Sequence, residues 1–356
     1  MKIAIVGLPY SGKTMLFEAI TGAHGTTLDR GAAAHLATVT VPDERLDALA
    51  KAFKPEKVSP AHVDFLDVAG VDSDMARERV AETLAACREA DGIVNVVRHF
   101  NSPSAPPHPR GSLDAKRDTA ELEAELIVAD LDAVERRIAR VEKQVAKHAA
   151  TMERDRKEHA ALQRLKEGLE RGLRASAVQF SAEENALLKE MQFLSMKPML
   201  TVLNVSEDGL SSEAAHAAAQ VLGPDTEMIC AQAEKEIAEL APEERGEFLE
   251  ALGIRDPASR RIIRACYHAL GQRSFFTVVG PDVHAWTIRA GDNALTAAGK
   301  IHSDLARGFI RAEVVAYEDF AKCGGVKEAK NAGRMRLEGK DYLVQDGDIL
   351  FIRFKV

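Results

Sequence analysis

The sequence predicts an α/β protein: a mostly parallel sheet, interrupted by a helical arm and followed by a small α+β unit. Three observations predict it. Residues 3–6 form an apolar run that stops at Gly7, and a glycine-rich loop and a helix-forming stretch follow. Two helical seams with apolar residues at spacings of three and four stand between later apolar strands. From Ser274 onward, short strands alternate with turns. At 356 residues the chain is too long for one ordinary core, so two or three domains are expected.

The first strand leads into Gly7-Leu8-Pro9-Tyr10-Ser11-Gly12-Lys13-Thr14, which matches GxxxxGK[ST]. Gly7 and Gly12 permit a tight turn whose N–H groups can surround a phosphate, and the helix beginning there adds its positive end. Lys13 can reach the β- and γ-phosphates, and the Thr14 hydroxyl can sit on Mg²⁺. Strand, loop and helix in that order are the context the motif requires, so this is a P-loop. A second strand at 63–67 ends in Asp67-Val68-Ala69-Gly70, a DxxG pattern. Asp67 would hold Mg²⁺ and the Gly70 N–H would sense the γ-phosphate. Further strands are expected at 92–97 and 198–203. The latter ends in Asn204-Val205-Ser206-Glu207, where GTPases carry NKxD. Glu207 is longer than the aspartate that clamps guanine, which points to adenine or to loose base specificity.

Between these strands, Pro103, Pro106, Pro107 and Pro109 exclude regular structure. From about Thr119, the residues Ile127, Leu131, Val134, Ile138, Val141 and Val145 form one seam. Leu162, Leu165, Leu169 and Leu173 form a second. Two helices, each about 40 Å long at ~1.5 Å per residue, would make an antiparallel coiled-coil arm. Its charged outer face is either solvated or a partner surface. Near the end, residues 342–344 and 349–352 read as a hairpin around Asp346-Gly347. Lys300, His302, Arg307, Arg311, Lys327, Lys330, Arg334 and Arg336 are basic but interrupted by acids. They could meet a phosphate backbone or form a mixed, solvated surface.

The formal net charge of −8 excludes general electrostatic attraction to nucleic acid. Cys87, Cys230, Cys266 and Cys323 are scattered, which suggests neither a zinc site nor a disulfide framework. No apolar stretch of about 18 residues suggests a membrane span. A soluble cytoplasmic protein is expected.

The residues resemble the YchF-type, or Obg-like, ATPases. The P-loop, Asp67-Val68-Ala69-Gly70, Val96-Val97-Arg98 before Phe100, Asn204-Val205-Ser206-Glu207 and Cys230-Ala231-Gln232-Ala233-Glu234 stand in family order. So do His284-Ala285-Trp286-Thr287-Ile288-Arg289, Gly308-Phe309-Ile310-Arg311-Ala312-Glu313 and Leu337-Glu338-Gly339-Lys340-Asp341-Tyr342. The resemblance covers essentially the whole chain. It implies a G domain (1–118 and 196–273), an inserted helical coiled coil (119–195) and a C-terminal TGS domain of β-grasp type (274–356). It also implies slow ATP hydrolysis with Mg²⁺ and association with ribosomes or RNA. The nucleotide would contact Gly7, Tyr10, Ser11, Gly12, Lys13, Thr14 and Met15 in the P-loop, then Gly70. Asn204 and Glu207 would face adenine, with Val205 and Ala231 packed near it. Thr14 and Asp67 would hold the metal. Lys13 would act in catalysis, as would His108 in the Pro-rich loop.

The chain departs from this family in several places. Tyr10 and Ser11 stand where the family has Asn and Val, and that Asn is its expected ligand for a monovalent cation, so potassium stimulation is not expected to carry over. The second Mg²⁺-binding threonine is not assigned; Thr26 and Thr27 are candidates only. The segment after Gly70 is shorter than the family's; in lacking the water-orienting Gln of GTPases the chain, with apolar Val71, agrees with the family. Three functions therefore stand open: a slow ATPase switch, a nucleotide-gated binding module with little turnover, and a GTPase.

Overall fold

The computed structural model describes residues 1–22, 34–70, 77–103, 105–145, 152–251 and 256–355. The chain divides into two compact units, Met1–Thr38 with Asp64–Ile262 and Val39–Val63 with Ile263–Val356. In chain order the elements begin with β1 (Lys2–Val6), α1 (Lys13–Thr21), β2 (Ala34–Thr40), α2 (Glu44–Phe53), β3 (Lys57–Ser59), β4 (His62–Val68), α3 (Arg77–Glu89) and β5 (Gly92–His99). Next come α4 (Ala115–Val145), α5 (Met152–Glu170), α6 (Ala182–Leu188), β6 (Met199–Val205), α7 (Glu213–Leu222), β7 (Glu227–Ile229), α8 (Ala231–Glu239), α9 (Pro242–Ala251) and α10 (Ala258–Ala269). The remainder is β8 (Gln272–Val279), β9 (Asp282–Arg289), α11 (Ala294–Ile301), α12 (Ser303–Arg307), β10 (Phe309–Ala316), α13 (Tyr317–Cys323), α14 (Val326–Asn331), β11 (Arg336–Glu338) and β12 (Asp348–Phe354).

The first unit is built on a sheet of order β2-β4-β1-β5-β6-β7, and β4 to β7 along that order run parallel. A central parallel strand is covered on both faces, so it must be apolar throughout rather than alternating. Ile3, Ala4, Ile5 and Val6 meet that demand and are buried. The strands expected at 63–67, 92–97 and 198–203 appear as β4, β5 and β6. Because β1, β4, β5 and β6 are parallel, the P-loop, Asp67, the loop after His99 and Asn204 emerge at one edge of the sheet.

In the arm, Ile127, Val134, Ile138 and Val141 pack against Ala161, Leu162, Leu165 and Leu169. The ion pairs Glu135–Lys166 and Glu142–His159 run in opposite order along α4 and α5, which makes the helices antiparallel. Two details differ from expectation. The α4 helix starts at Ala115, not near Thr119, because the Asp114 side chain accepts from the Arg117 N–H and caps it. The α5 helix ends at Glu170 and leaves Leu173 outside, 45% exposed. There Gly172, at φ 76°, closes the helix, and the Leu173 N–H returns to the Gly168 carbonyl. At 19 residues α5 is therefore shorter than the seam suggested.

The base of the arm is tied to α3 and to the turn before β6 through Asp130, which is fully buried. Its carboxylate accepts from the Leu194 N–H, the Ser195 N–H and the Ser195 hydroxyl, while Arg88 of α3 donates to it and to the Ala129 carbonyl. Asp130→Ala leaves two buried N–H groups without acceptors, so a loss of about 2–3 kcal/mol is expected. Urea unfolding followed by far-UV circular dichroism checks it.

The second unit has the sheet order β11-β10-β12-β8-β9-β3. The β8–β9 and β10–β12 pairs are antiparallel, whereas β12–β8 and β3–β9 are parallel. A parallel central pair flanked by antiparallel neighbours is the β-grasp pattern. One face buries Phe275, Ile288 and Leu350 with Ala294 and Ala297 of α11; the other buries Phe276, Val283 and Ile349 with Leu46 and Leu49 of α2. By this packing α2 and β3 belong to the second unit, although residues 1–118 were expected to lie together. The expected 342–352 hairpin is not formed. The Asp348 carboxylate accepts from the Gln345 N–H and the Tyr342 hydroxyl, which folds the segment into a turn. Leu343 makes an isolated bridge to Asn293, and β12 pairs with β10 and β8 instead.

Three of the basic residues of this unit are paired internally. Arg307 meets Asp304, Arg334 meets Asp319, and Arg336 meets Glu338 and Asp348, which favours the mixed, solvated surface. Cys87, Cys230, Cys266 and Cys323 are free thiols. Among the described residues no helix is long and apolar enough to cross a membrane.

Candidate functional site

The P-loop backbone departs from ordinary dihedrals at three residues: Gly7 at φ 151°, Tyr10 at φ 62° and Gly12 at φ 95°. A Cβ at Gly7 would lie 2.3 Å from the Val96 carbonyl oxygen, a backbone atom of the neighbouring strand that cannot yield. Gly12 caps α1 with no side-chain acceptor, so the first N–H groups of the helix are left for a ligand. Lys13 is buried, and its Nζ donates to the Leu8 carbonyl across the loop at 2.9 Å. Burial pushes its pKa down to about 8, with the Asp67 carboxylate pulling the other way.

The Thr14 hydroxyl donates to Asp67 Oδ2 at 2.7 Å, so the two expected metal ligands are side by side. Burial pushes the Asp67 carboxyl up, opposed by the Thr14 hydrogen bond and the Lys13 charge. Asp67 Oδ1 and the Ser11 hydroxyl are buried without partners among the described residues. Buried oxygens of this kind carry a cost unless something meets them. A hard divalent cation at Thr14 and Asp67 meets that requirement, so Mg²⁺ fits this donor set. At Gly70 a Cβ would stand 3.0 Å from the Pro9 nitrogen and 3.2 Å from Lys13 Nζ, which places the DxxG glycine against the P-loop. Thr26, Thr27 and Val71 lie outside the described residues.

Beside the P-loop lies a cleft of ≈ 570 Å³. Tyr10, Gly12 and Met15 form one side of it. Asn204, Val205 and Glu207 stand on a second side, with Cys230, Gln232 and Ala233 next to them. Glu207 is exposed at the cleft, while Val205 is nearly buried in the core behind it. Asn204 lines the cleft and has a structural role as well. Its Nδ2 donates to the Ser11 carbonyl and its Oδ1 accepts from the Ala231 N–H, each at 3.0 Å. Both ends of its amide are engaged, so it braces the P-loop against the start of α8. Ala231 is itself fully buried, and its neighbours line the cleft.

The third wall comes from residues after β5, including Phe100, Asn101, Ser102 and Pro106. Arg98 holds that wall. Its guanidinium donates to the Phe100 and Pro106 carbonyls and lies over the Phe100 ring, 4.7 Å from the centroid. Sequence reasoning assigned Arg98 no role; the signal available was a cation directly after an apolar strand. His108 is not among the residues lining the cleft. It is 8% exposed, with Nε2 at 2.9 Å from Asp118 Oδ2 and Nδ1 accepting from the Arg110 N–H. With Nδ1 an acceptor, Nε2 carries the proton, and neither nitrogen is free. Asp118 is held in turn by Arg117.

Residues 2–161 match the MMR_HSR1 family, described as a 50S ribosome-binding GTPase. Residues 273–355 match YchF-GTPase_C, described as a protein of unknown function (DUF933). The chain is 40% identical to the ribosome-binding ATPase YchF of Bacillus subtilis (strain 168) over 369 residues, covering 99% of this chain and 98% of that one. The chain belongs to the YchF family. The ribosome-binding ATPase YchF of Haemophilus influenzae is 39% identical, with 100% of this chain and 99% of the relative covered. The solved structure of the Schizosaccharomyces pombe YchF GTPase superposes with a TM-score of 0.85 at 26% identity, covering 99% of this chain and 97% of that one. As in that family, the first unit is a P-loop NTPase domain of nucleotide-binding type, and the β-grasp unit is TGS-like.

Proposed function

We propose that this YchF-family chain binds and slowly hydrolyses ATP with Mg²⁺, acting as a ribosome-associated switch in the cytoplasm. The observation that carries the reading is the meeting of Thr14 and Asp67 beside Lys13, with one carboxylate oxygen of Asp67 unpartnered among the described residues. Thr14 and Asp67 would hold Mg²⁺, which supplies charge neutralisation to the phosphates when bound. Lys13 already sits inside the loop and exchanges the Leu8 carbonyl for phosphate oxygens. Glu207 at the cleft supports adenine, since its longer side chain replaces the guanine-clamping aspartate. The ribosome reading is supported by the names of the relatives, ribosome-binding ATPases.

A second reading, nucleotide-gated binding with little turnover, is favoured by one observation: both nitrogens of His108 are engaged away from the cleft. Equilibrium binding of ATP and GTP with Mg²⁺, followed by single-turnover hydrolysis, separates the two. Measurable turnover of ATP supports the switch, and tight binding with background hydrolysis supports the gated module. GTP displacing labelled ATP far better than ATP itself would make the chain a GTPase. Lys13→Ala is expected to weaken Mg-ATP binding by about 100-fold or more, since a charge-assisted contact to phosphate is removed from a desolvated site. Isothermal titration measures it, and parental affinity in that variant would exclude the P-loop as the binding site.

A further inference from the structure

Among the described residues, three other than glycine have positive φ: Tyr10 at 62°, Lys54 at 46° and Gln192 at 51°. Lys54 and Gln192 each close the C-terminal end of a helix, where a left-handed residue is ordinary. Tyr10 closes none. It stands inside the P-loop, in a backbone region that disfavours any residue with a Cβ, and bulky ones most. The side chain is 55% exposed, and among the described residues its phenol has no hydrogen-bond, ion-pair or ring partner.

The left-handed turn itself has an account. One such residue within a loop swings successive N–H groups into a concavity that accepts anions. Glycine would supply that turn without strain, so the turn does not explain the ring. Two observations say what the ring faces. Tyr10 leaves the loop three residues before Lys13, so it stands beside any phosphate the loop holds. It also lines the cleft that runs to Asn101, Glu207 and Gln232. Tyr10 thus belongs both to the phosphate loop and to the wall of the cleft.

We propose that Tyr10 is a clamp on the ribose and α-phosphate of a bound nucleotide, indifferent to the base. The inference rests on the nucleotide-binding reading above. The aromatic face covers the sugar, the hydroxyl donates to a sugar or phosphate oxygen, and bound nucleotide thereby offsets a backbone conformation that the free protein holds at a cost. The clamp acts chiefly on release, since a nucleotide can leave only when the ring swings aside.

Tyr10→Gly isolates the ring, because glycine keeps the left-handed turn. The expected result is a thermal midpoint of the nucleotide-free protein that does not fall, together with release of radiolabelled ADP and of radiolabelled GDP at least tenfold faster in filter-binding chases. Tyr10→Phe should lie between this variant and the parent, since it keeps the ring and loses the hydroxyl. Parental release rates in Tyr10→Gly would overturn the clamp. Acceleration confined to one base would also overturn it, by making the ring a base-reading element. A lower midpoint with unchanged release would assign Tyr10 to the fold instead. If the parent itself binds neither nucleotide, it is the functional reading that fails, and the parent's own titration shows that separately.

Discussion

Replacing Asn204 by alanine is expected to weaken ATP and GTP binding alike, by about tenfold or more, and to loosen the first unit. The residue sits at the place of a base-contacting asparagine, and its amide also holds backbone: Ser11 of the P-loop on one side and Ala231 at the start of α8 on the other. Asn204 is 3% exposed, so its removal leaves a buried carbonyl and a buried N–H without partners, at a cost of about 3 kcal/mol. The brace also accounts for Gly12, where a Cβ would fall 2.2 Å from Asn204 Nδ2. If Asn204 positions the loop rather than reading the base, the ratio of ATP to GTP affinity stays within about twofold of the parent. Peptides from the P-loop and from residues 230–234 should also exchange amide hydrogens faster. A loss falling on one nucleotide alone would return Asn204 to the base-reading role. Glu207, exposed at the cleft, is the residue whose change should shift that ratio.

The phosphate site was legible in the sequence because its chemistry is local. A P-loop needs strand, turn and helix within a few residues, and an apolar run followed by GxxxxGK[ST] states all three. Asp67 was legible for a related reason: a carboxylate at the end of an apolar strand is placed by the strand. What could not be read were hydrogen bonds that close over long sequence distances. Nothing in Asn204-Val205-Ser206-Glu207 says that the asparagine is tied to residues 193 and 27 positions away. His108 shows the same limit. A histidine among prolines reads as a free loop side chain, yet Asp118 in the first turn of α4 takes it up. The arm was legible as a seam, but its length was set by Asp114 and Gly172, a cap and a closing glycine outside the repeating pattern. Residues 41–59 carry no motif, so their membership of the second unit is decided only by what Leu46 and Leu49 touch.

That membership has a polar counterpart, and Arg45→Ala tests it. The Arg45 guanidinium is shared between Asp43, which caps α2, and Asp346, which precedes the turn at Gly347. Burial alone would lower the pKa of the arginine, but hydrogen bonds to Asp43 and Asp346 raise it above its ordinary value. Asp346 also accepts from the Ser274 N–H of β8, so α2, β8 and the turn meet at one carboxylate. Arg45→Ala leaves two half-buried carboxylates facing each other, and a loss of about 3 kcal/mol is expected. Trp286 is the only tryptophan and lies in β9, so its fluorescence during urea unfolding reports the second unit alone. The pH dependence follows from Asp346. Burial pushes its carboxyl up, but Arg45 and the Ser274 N–H outweigh this and hold it below the usual carboxylate range. A depressed carboxylate contributes stability that is complete above its unfolded pKa of about 4 and is lost as pH falls through the folded value. The stability difference between the parent and Asp346→Asn should therefore be constant from about pH 7 to pH 5 and narrow below about pH 4. A difference that persists undiminished into strong acid would mean that Asp346 holds the turn by shape and neutral hydrogen bonds, with its charge contributing nothing.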